Sequence, residues 1–116
     1  STSELESWEF DVLSALRRAG SPYQLSPKAL LQQTLVSSGT MTNRIDRLVE
    51  RGLVHRRTDP DDGRGILVMM TQKGRERVDS AISNLLDAES KLLSRLVPAD
   101  RERLAALLRK LSLDFD

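Results

Sequence analysis

Ser37-Ser38-Gly39-Thr40-Met41-Thr42-Asn43-Arg44-Ile45-Asp46-Arg47-Leu48-Val49-Glu50-Arg51-Gly52 is the stretch whose reading decides the fold. At about 100° per residue, Met41, Ile45 and Leu48 fall on one narrow apolar stripe. That spacing predicts a helix over about 38–51, closed by Gly52 just past its end. Roughly opposite the stripe lie Gly39, Asn43 and Arg47, flanked by Thr40 and Thr42, a polar face that is small near its N-terminal end. Gly39 removes a side chain where the helix would approach another surface closely. A recognition helix needs such a face, because Asn pairs with adenine, Arg with guanine and Thr with a thymine methyl in the major groove. Taken alone, the same face is more simply the solvated side of an amphipathic helix.

The flanking sequence favours the first reading. Upstream, Ser26-Pro27 reads as an N-cap and a first-turn proline, opening a short helix that carries Ala29 and Leu30 and fades near Thr34. Before it, Leu5, Trp8, Val12, Leu13 and Leu16 recur at helical spacing, and Tyr23-Gln24-Leu25 can hold a brief strand. Downstream, Leu53–Thr58 and Ile66–Met70 read as strands joined by the turn-rich Asp59-Pro60-Asp61-Asp62-Gly63-Arg64-Gly65. A long helix then runs from Thr71 towards Leu96 with Val78, Ile82, Leu85, Leu92 and Leu96 in a heptad-like rhythm. After Pro98 a last helix carries Leu104, Leu107, Leu108 and Leu111 on one face. The expected fold is mainly α with a small β-hairpin wing: a winged helix-turn-helix followed by C-terminal dimerisation helices. Residues 1–70 are the expected DNA-binding region, with the recognition helix about 38–51 and the wing about 54–70; residues 71–116 are the expected dimerisation region.

Bulk properties bound the alternatives. The 116 residues fit one domain; 39% are hydrophobic and 30% charged, an ordinary soluble composition. Cysteine is absent and His55 is the single histidine, which excludes a disulfide framework, a thiol sensor and a Cys- or His-rich metal site. No apolar run approaches the roughly 20 residues of a membrane span and no signal-peptide pattern opens the sequence, so a cytoplasmic protein is expected. The net charge is +1, but the segment from Ser38 to Arg77 is basic and the ends are acidic, a distribution suited to a polyanion partner.

Arg64 stands between Gly63 and Gly65 at the hairpin tip, with Asp62 two residues back and expected to orient its guanidinium. An arginine so projected can enter the narrow, electronegative minor groove; an ordinary solvated turn arginine is the plain alternative. Ser26, Lys28, Ser38, Arg56 and Arg57 are candidate phosphate contacts near helix ends and along the wing. Asp59, Asp61 and Asp62 do not match the spacing of a calcium loop. Trp8 and Tyr23 can line a ligand pocket, with core packing the plainer reading of each.

The run Leu25-Ser26-Pro27, Val36 to Leu48, Arg51-Gly52-Leu53-Val54, Asp59 to Gly65, Leu67-Val68, Thr71 and Gly74 resembles the MarR family of bacterial regulators, most sharply in the wing pattern Asp62-x-Arg64. The resemblance implies a homodimer on a pseudo-palindromic double-stranded DNA operator, usually acting as a repressor. It assigns the minor groove to Arg64 and the major groove to Ser38, Thr40, Thr42, Asn43, Arg44 and Arg47. It also implies, as for many members, release of DNA when a small aromatic or anionic effector binds between the DNA-binding lobe and the dimerisation helices. Two departures stand out. Position Gly63 is often a second basic residue in similar sequences. The family also has a further N-terminal helix in its dimer interface, and none precedes Leu5; the sequence opens on Ser1 rather than Met, so it reads as a fragment or as a chain lacking that helix.

Two other functions compete. A winged-helix adaptor would bind protein without DNA, and would present apolar residues where Asn43, Arg47 and Arg64 stand. An enzyme would need a phosphate-binding glycine motif, a nucleophile elbow or a metal cluster, and none is present; no catalytic residue and no cofactor is expected. The last two helices can simply cover the winged helix of a monomer, but length favours dimerisation, since a helix over 71–96 would span nearly 40 Å at about 1.5 Å per residue, too long for so small a core to bury.

Overall fold

The computed structural model describes residues 5–115, with side chains to residue 112, so the outer bounds of the expected 1–70 and 71–116 regions lie outside the described residues. The elements are α1 (Ser7–Arg18), β1 (Gln24–Leu25), α2 (Pro27–Gln33), α3 (Ser38–Glu50), β2 (Val54–Thr58), β3 (Ile66–Met70), α4 (Gln72–Leu93) and α5 (Pro98–Phe115). They form two compact units, residues 1–82 and 83–116.

In the first unit, Val12, Leu13, Leu16, Leu30, Met41, Ile45, Leu48, Leu53, Val54, Val68 and Val78 form one buried cluster. Each helix of the trihelical part contributes its apolar stripe, which is why three amphipathic segments too short to persist alone are stable together. Helix starts follow the sequence signals. Ser26 Oγ accepts from the Ala29 N–H at 3.1 Å, with Pro27 in the first turn. Ser37 Oγ accepts from the Thr40 N–H at 3.2 Å, which makes Ser37 the α3 cap. Helix α3 stops where Gly52 turns to φ +73°: the Gly52 N–H donates to Val49 O (2.9 Å) and the Leu53 N–H to Leu48 O (3.0 Å). This paired closure needs a residue at ease with positive φ.

The brief strand near Gln24 joins the hairpin, giving an antiparallel sheet of order β1-β3-β2. Gln24 pairs with Met69, Val54 with Met70 and Thr58 with Ile66. Along β3, Val68 and Met70 turn inward, whereas β2 is buried only at Val54; His55 to Thr58 are exposed. The ribbon therefore leaves the core after one residue and runs out as a wing.

Gly74 fixes the start of α4. A Cβ there would lie 2.1 Å from Leu53 O and 3.0 Å from Met70 Cγ. Thr71 caps this helix, accepting from the Gly74 N–H (3.0 Å) while donating to Gly52 O (2.6 Å). The chain's entry into α4 is thus bolted to the turn that ends α3.

Helix α4 is shorter than the heptad rhythm predicts. It ends at Leu93, where Ser94 Oγ donates to Lys91 O (2.7 Å) and the Arg95 and Leu96 N–H groups reach back only three residues. Pro98, which disfavours helical geometry in the residue before it, completes the break. The heptad stripe also divides: Val78 is fully buried in the first unit's core, while Leu85 and Leu92 are 50% and 60% exposed. In the second unit Leu104, Leu107, Leu108 and Leu111 of α5 are likewise exposed.

Candidate nucleic-acid interface

Helix α3 turns Met41, Ile45 and Leu48 inward and leaves Ser38, Gly39, Thr40, Thr42, Asn43, Asp46 and Arg47 exposed. Nothing lies within 4 Å of a Cβ built on Gly39, so the first turn has an open, low-profile surface. Thr42 Oγ1 donates back to Ser38 O at 3.0 Å, so its hydroxyl hydrogen is engaged within the helix.

The wing is attached to this face. Arg56 on β2 pairs with Asp46 on α3 through Nη2 and Oδ1, so β2 runs beside the exposed side of the helix. Two further residues, ~7 Å of strand, separate Arg56 from the turn. In the turn, the Asp59 N–H donates to Gly65 O (2.9 Å), the Gly65 N–H to Asp62 O (2.8 Å) and the Asp61 N–H to Asp59 Oδ1 (2.9 Å). Asp62 Oδ1 accepts from the backbone N–H of Arg64 at 3.1 Å. Asp62 therefore shapes the backbone and does not orient the guanidinium, because a carboxylate two residues back closes a local ring with the main chain. The tip glycines need no positive φ; Gly65 serves by close approach, its built Cβ lying 3.3 Å from Asp59 Cβ. Arg64 is exposed, and its guanidinium has no hydrogen bond or ion pair among the described residues.

The other sequence candidates separate. Lys28, Arg57 and His55 are exposed. Arg57 Nη1 reaches Gln24 Oε1 at 3.5 Å. Ser26 is occupied as the α2 cap, and Arg56 is engaged by Asp46. Arg44 does not stand on the open face: its guanidinium lies 5.6 Å over the Trp8 ring of α1.

Sequence reasoning missed Glu9, a carboxylate only 1% exposed that pairs with Arg51, the last residue of the α3 turn. A signal was present: Glu9 lies four residues after Leu5 and three before Val12, on the very stripe that buries α1. An acid there requires a cation opposite.

Behind α3, a cleft of about 600 Å³ is lined by Phe10, Asp11, Ser14, Arg17, Arg18, Gln33, Thr34, Leu35, Val36, Arg44 and Ile82. Ser14 Oγ is buried there without a hydrogen-bond partner among the described residues. Arg17 is tied to Asp79 of α4 at 2.9 Å; that hydrogen bond, and then the attraction of the Asp79 charge, hold its pKa above the usual guanidinium value. Leu35, in the turn between α2 and α3, is fully exposed. Trp8 and Tyr23 each border a different, smaller depression.

A trihelical core with an exposed third helix, and an arginine-tipped ribbon beside it, define a winged helix-turn-helix protein. The MarR family model matches residues 3–65, more than half of the sequence, and the chain belongs to the MarR family. The HTH-type transcriptional regulator PecS of Dickeya dadantii is 30% identical over 90% of this chain, which spans 63% of the length of PecS. The Bordetella bronchiseptica BpsR structure, described as regulated in DNA binding by 6-hydroxynicotinic acid, is 32% identical with a TM-score of 0.67, over 97% of this chain and 83% of BpsR. A MarR C80S mutant from E. coli complexed with operator DNA is 29% identical with a TM-score of 0.69, over 93% of this chain and 76% of that one. The relatives so named are transcription regulators rather than enzymes. No helix among the described residues is long and apolar enough to cross a membrane.

Proposed function

We propose that this chain is a ligand-responsive regulator of transcription that binds double-stranded DNA as a homodimer, acting as a cytoplasmic repressor and not as an enzyme. The observation that carries the reading is the Asp46–Arg56 bridge, which sets the wing beside the open polar face of α3. Helix α3 enters the major groove with Ser38, Thr40, Thr42, Asn43 and Arg47, and Arg64 enters the adjoining minor groove. Lys28 and Arg57, both exposed, face phosphates; Ser26 and Arg56 serve instead as the α2 cap and the tie between wing and α3, and Asp62 holds the tip in shape. The MarR–operator complex, a relative of the same fold, supports this use of the surface.

Residues 71–116 serve dimerisation. Leu85, Leu92, Leu107, Leu108 and Leu111 are each half or more exposed, and so many exposed leucines on two helices call for a covering partner. A twofold dimer places two α3 helices about 34 Å apart, matching one turn of a pseudo-palindromic operator. The effector, a small aromatic or anionic molecule, fits the cleft behind α3, where Phe10 and Val36 offer apolar walls and Arg18 and Ser14 offer donors. BpsR and its aromatic acid give a precedent within the same fold.

The test is affinity for duplex DNA as salt rises. If several phosphates are neutralised, affinity falls at least tenfold between 50 and 200 mM salt, on the order expected for counterion release. A chain that binds no duplex at the lower salt is not a DNA-binding protein, and the adaptor reading then takes its place.

A further inference from the structure

The first turn of α1 carries two residues that grip α3 at separate points. Trp8 lies under the Arg44 guanidinium at 5.6 Å, and its Nε1 donates to Glu6 Oε2 at 2.6 Å, which fixes the plane of the ring. Next to it, Glu9 is 1% exposed and has both oxygens engaged. Oε1 accepts from the Glu6 N–H at 2.9 Å, and Oε2 accepts from Arg51 Nη1. Arg51 is also tied through its carbonyl oxygen, which accepts from Lys73 Nζ at 3.0 Å.

Arg44 and Arg51 are seven residues apart, two turns or ~10.5 Å along α3. The buried stripe of α3 seats the helix on the core, and two polar attachments at that separation add a restraint on its pivot and roll. Arg47 sits between them in sequence, exposed, where the open face borders the depression lined by Trp8, Glu9 and Glu50. The grip also explains the choice of residue at position 9. A hydrophobe would complete the α1 stripe at lower cost, whereas a buried carboxylate demands one partner in one geometry.

We propose that Trp8 and Glu9 are positioning residues for DNA recognition: they set the tilt and roll of α3, and with it the aim of Arg47 and Asn43 at base edges. The inference rests on the DNA-binding reading above. It implies that loosening the grip degrades sequence discrimination and spares the phosphate contacts made elsewhere, on α2 and the wing.

The experiment uses the 116-residue chain and two probes: a duplex that the unaltered chain selects from a random-sequence pool, and a scrambled duplex of the same composition. The quantity read is the ratio of the two affinities, which does not change when a variant merely has fewer folded molecules. Glu9→Gln keeps shape and removes the charge; Trp8→Leu removes the ring; Trp8→Phe keeps a ring beneath Arg44. Glu9→Gln and Trp8→Leu are expected to lower the ratio at least tenfold, with scrambled-duplex affinity within twofold of the unaltered chain, and Trp8→Phe to restore most of it. Trp8 is only partly buried, so Trp8→Leu carries the test if Glu9→Gln does not fold. A ratio unchanged in Trp8→Leu, or equally lowered in Trp8→Phe, overturns the positioning role and leaves the DNA-binding reading standing. An unaltered chain that selects no duplex overturns both.

Discussion

Arg64→Ala is expected to weaken binding of a selected duplex ten- to a hundredfold at fixed salt, with the thermal midpoint essentially unchanged. The side chain is exposed and makes no hydrogen bond or ion pair among the described residues, so the fold loses nothing with it. The turn that presents it is held by main-chain bonds and by the Asp59 and Asp62 carboxylates. What is lost is a charge-assisted contact in a narrow groove, worth about 1.5–3 kcal/mol. At about 1.4 kcal/mol per factor of ten, that is the range stated. Titration of the variant with a labelled duplex checks it. Unchanged affinity removes the wing from the mechanism.

The second large effect falls on stability. Gly74→Ala is expected to cost about 3 kcal/mol or more and to lower the midpoint by about 10–20 °C. In an open helix the same change stabilises by up to ~1 kcal/mol, so the predicted sign is opposite to helix propensity. The reason is steric: the new methyl would meet Leu53 O at 2.1 Å, an atom of the main chain rather than the end of a flexible side chain. Leu53 cannot retreat, being fully buried with its carbonyl already accepting from the Thr71 N–H at 3.1 Å. Gly39→Ala is the control, since nothing lies within 4 Å of that position. It should leave the midpoint unchanged or slightly raised, and weaken DNA binding only. Thermal melts of the two variants side by side check the pair; a tolerant Gly74→Ala contradicts the described junction of α3, β2 and α4.

Much of this architecture was legible because local signals agreed with one another. Ser26-Pro27 and Gly52 each mark a helix end by local chemistry that needs no tertiary partner, and the structure uses both for that purpose. The stripe Met41, Ile45 and Leu48 is buried because its period leaves a helix no other way to hide it. What could not be read depends on neighbours distant in sequence. Glu9 meets Arg51 across 42 positions, and Arg44 faces Trp8 rather than the open side, because α1 lies along that flank of α3. A helical wheel of α3 alone cannot show which exposed arginine has a neighbour. The long heptad rhythm misled for the related reason that one periodic stripe serves two surroundings, core at Val78 and open surface at Leu85. Spacing reports which residues share a face, and not what meets it.

Methylation protection on a selected duplex tests the two-probe arrangement most directly, because dimethyl sulfate modifies guanine N7 in the major groove and adenine N3 in the minor groove. The expected pattern is guanine protection where α3 lies, with adenine protection in the adjoining minor groove that disappears in Arg64→Ala while the guanine protection stays. Adenine protection that persists without Arg64, or protection confined to one groove, contradicts the placement of helix and wing in neighbouring grooves.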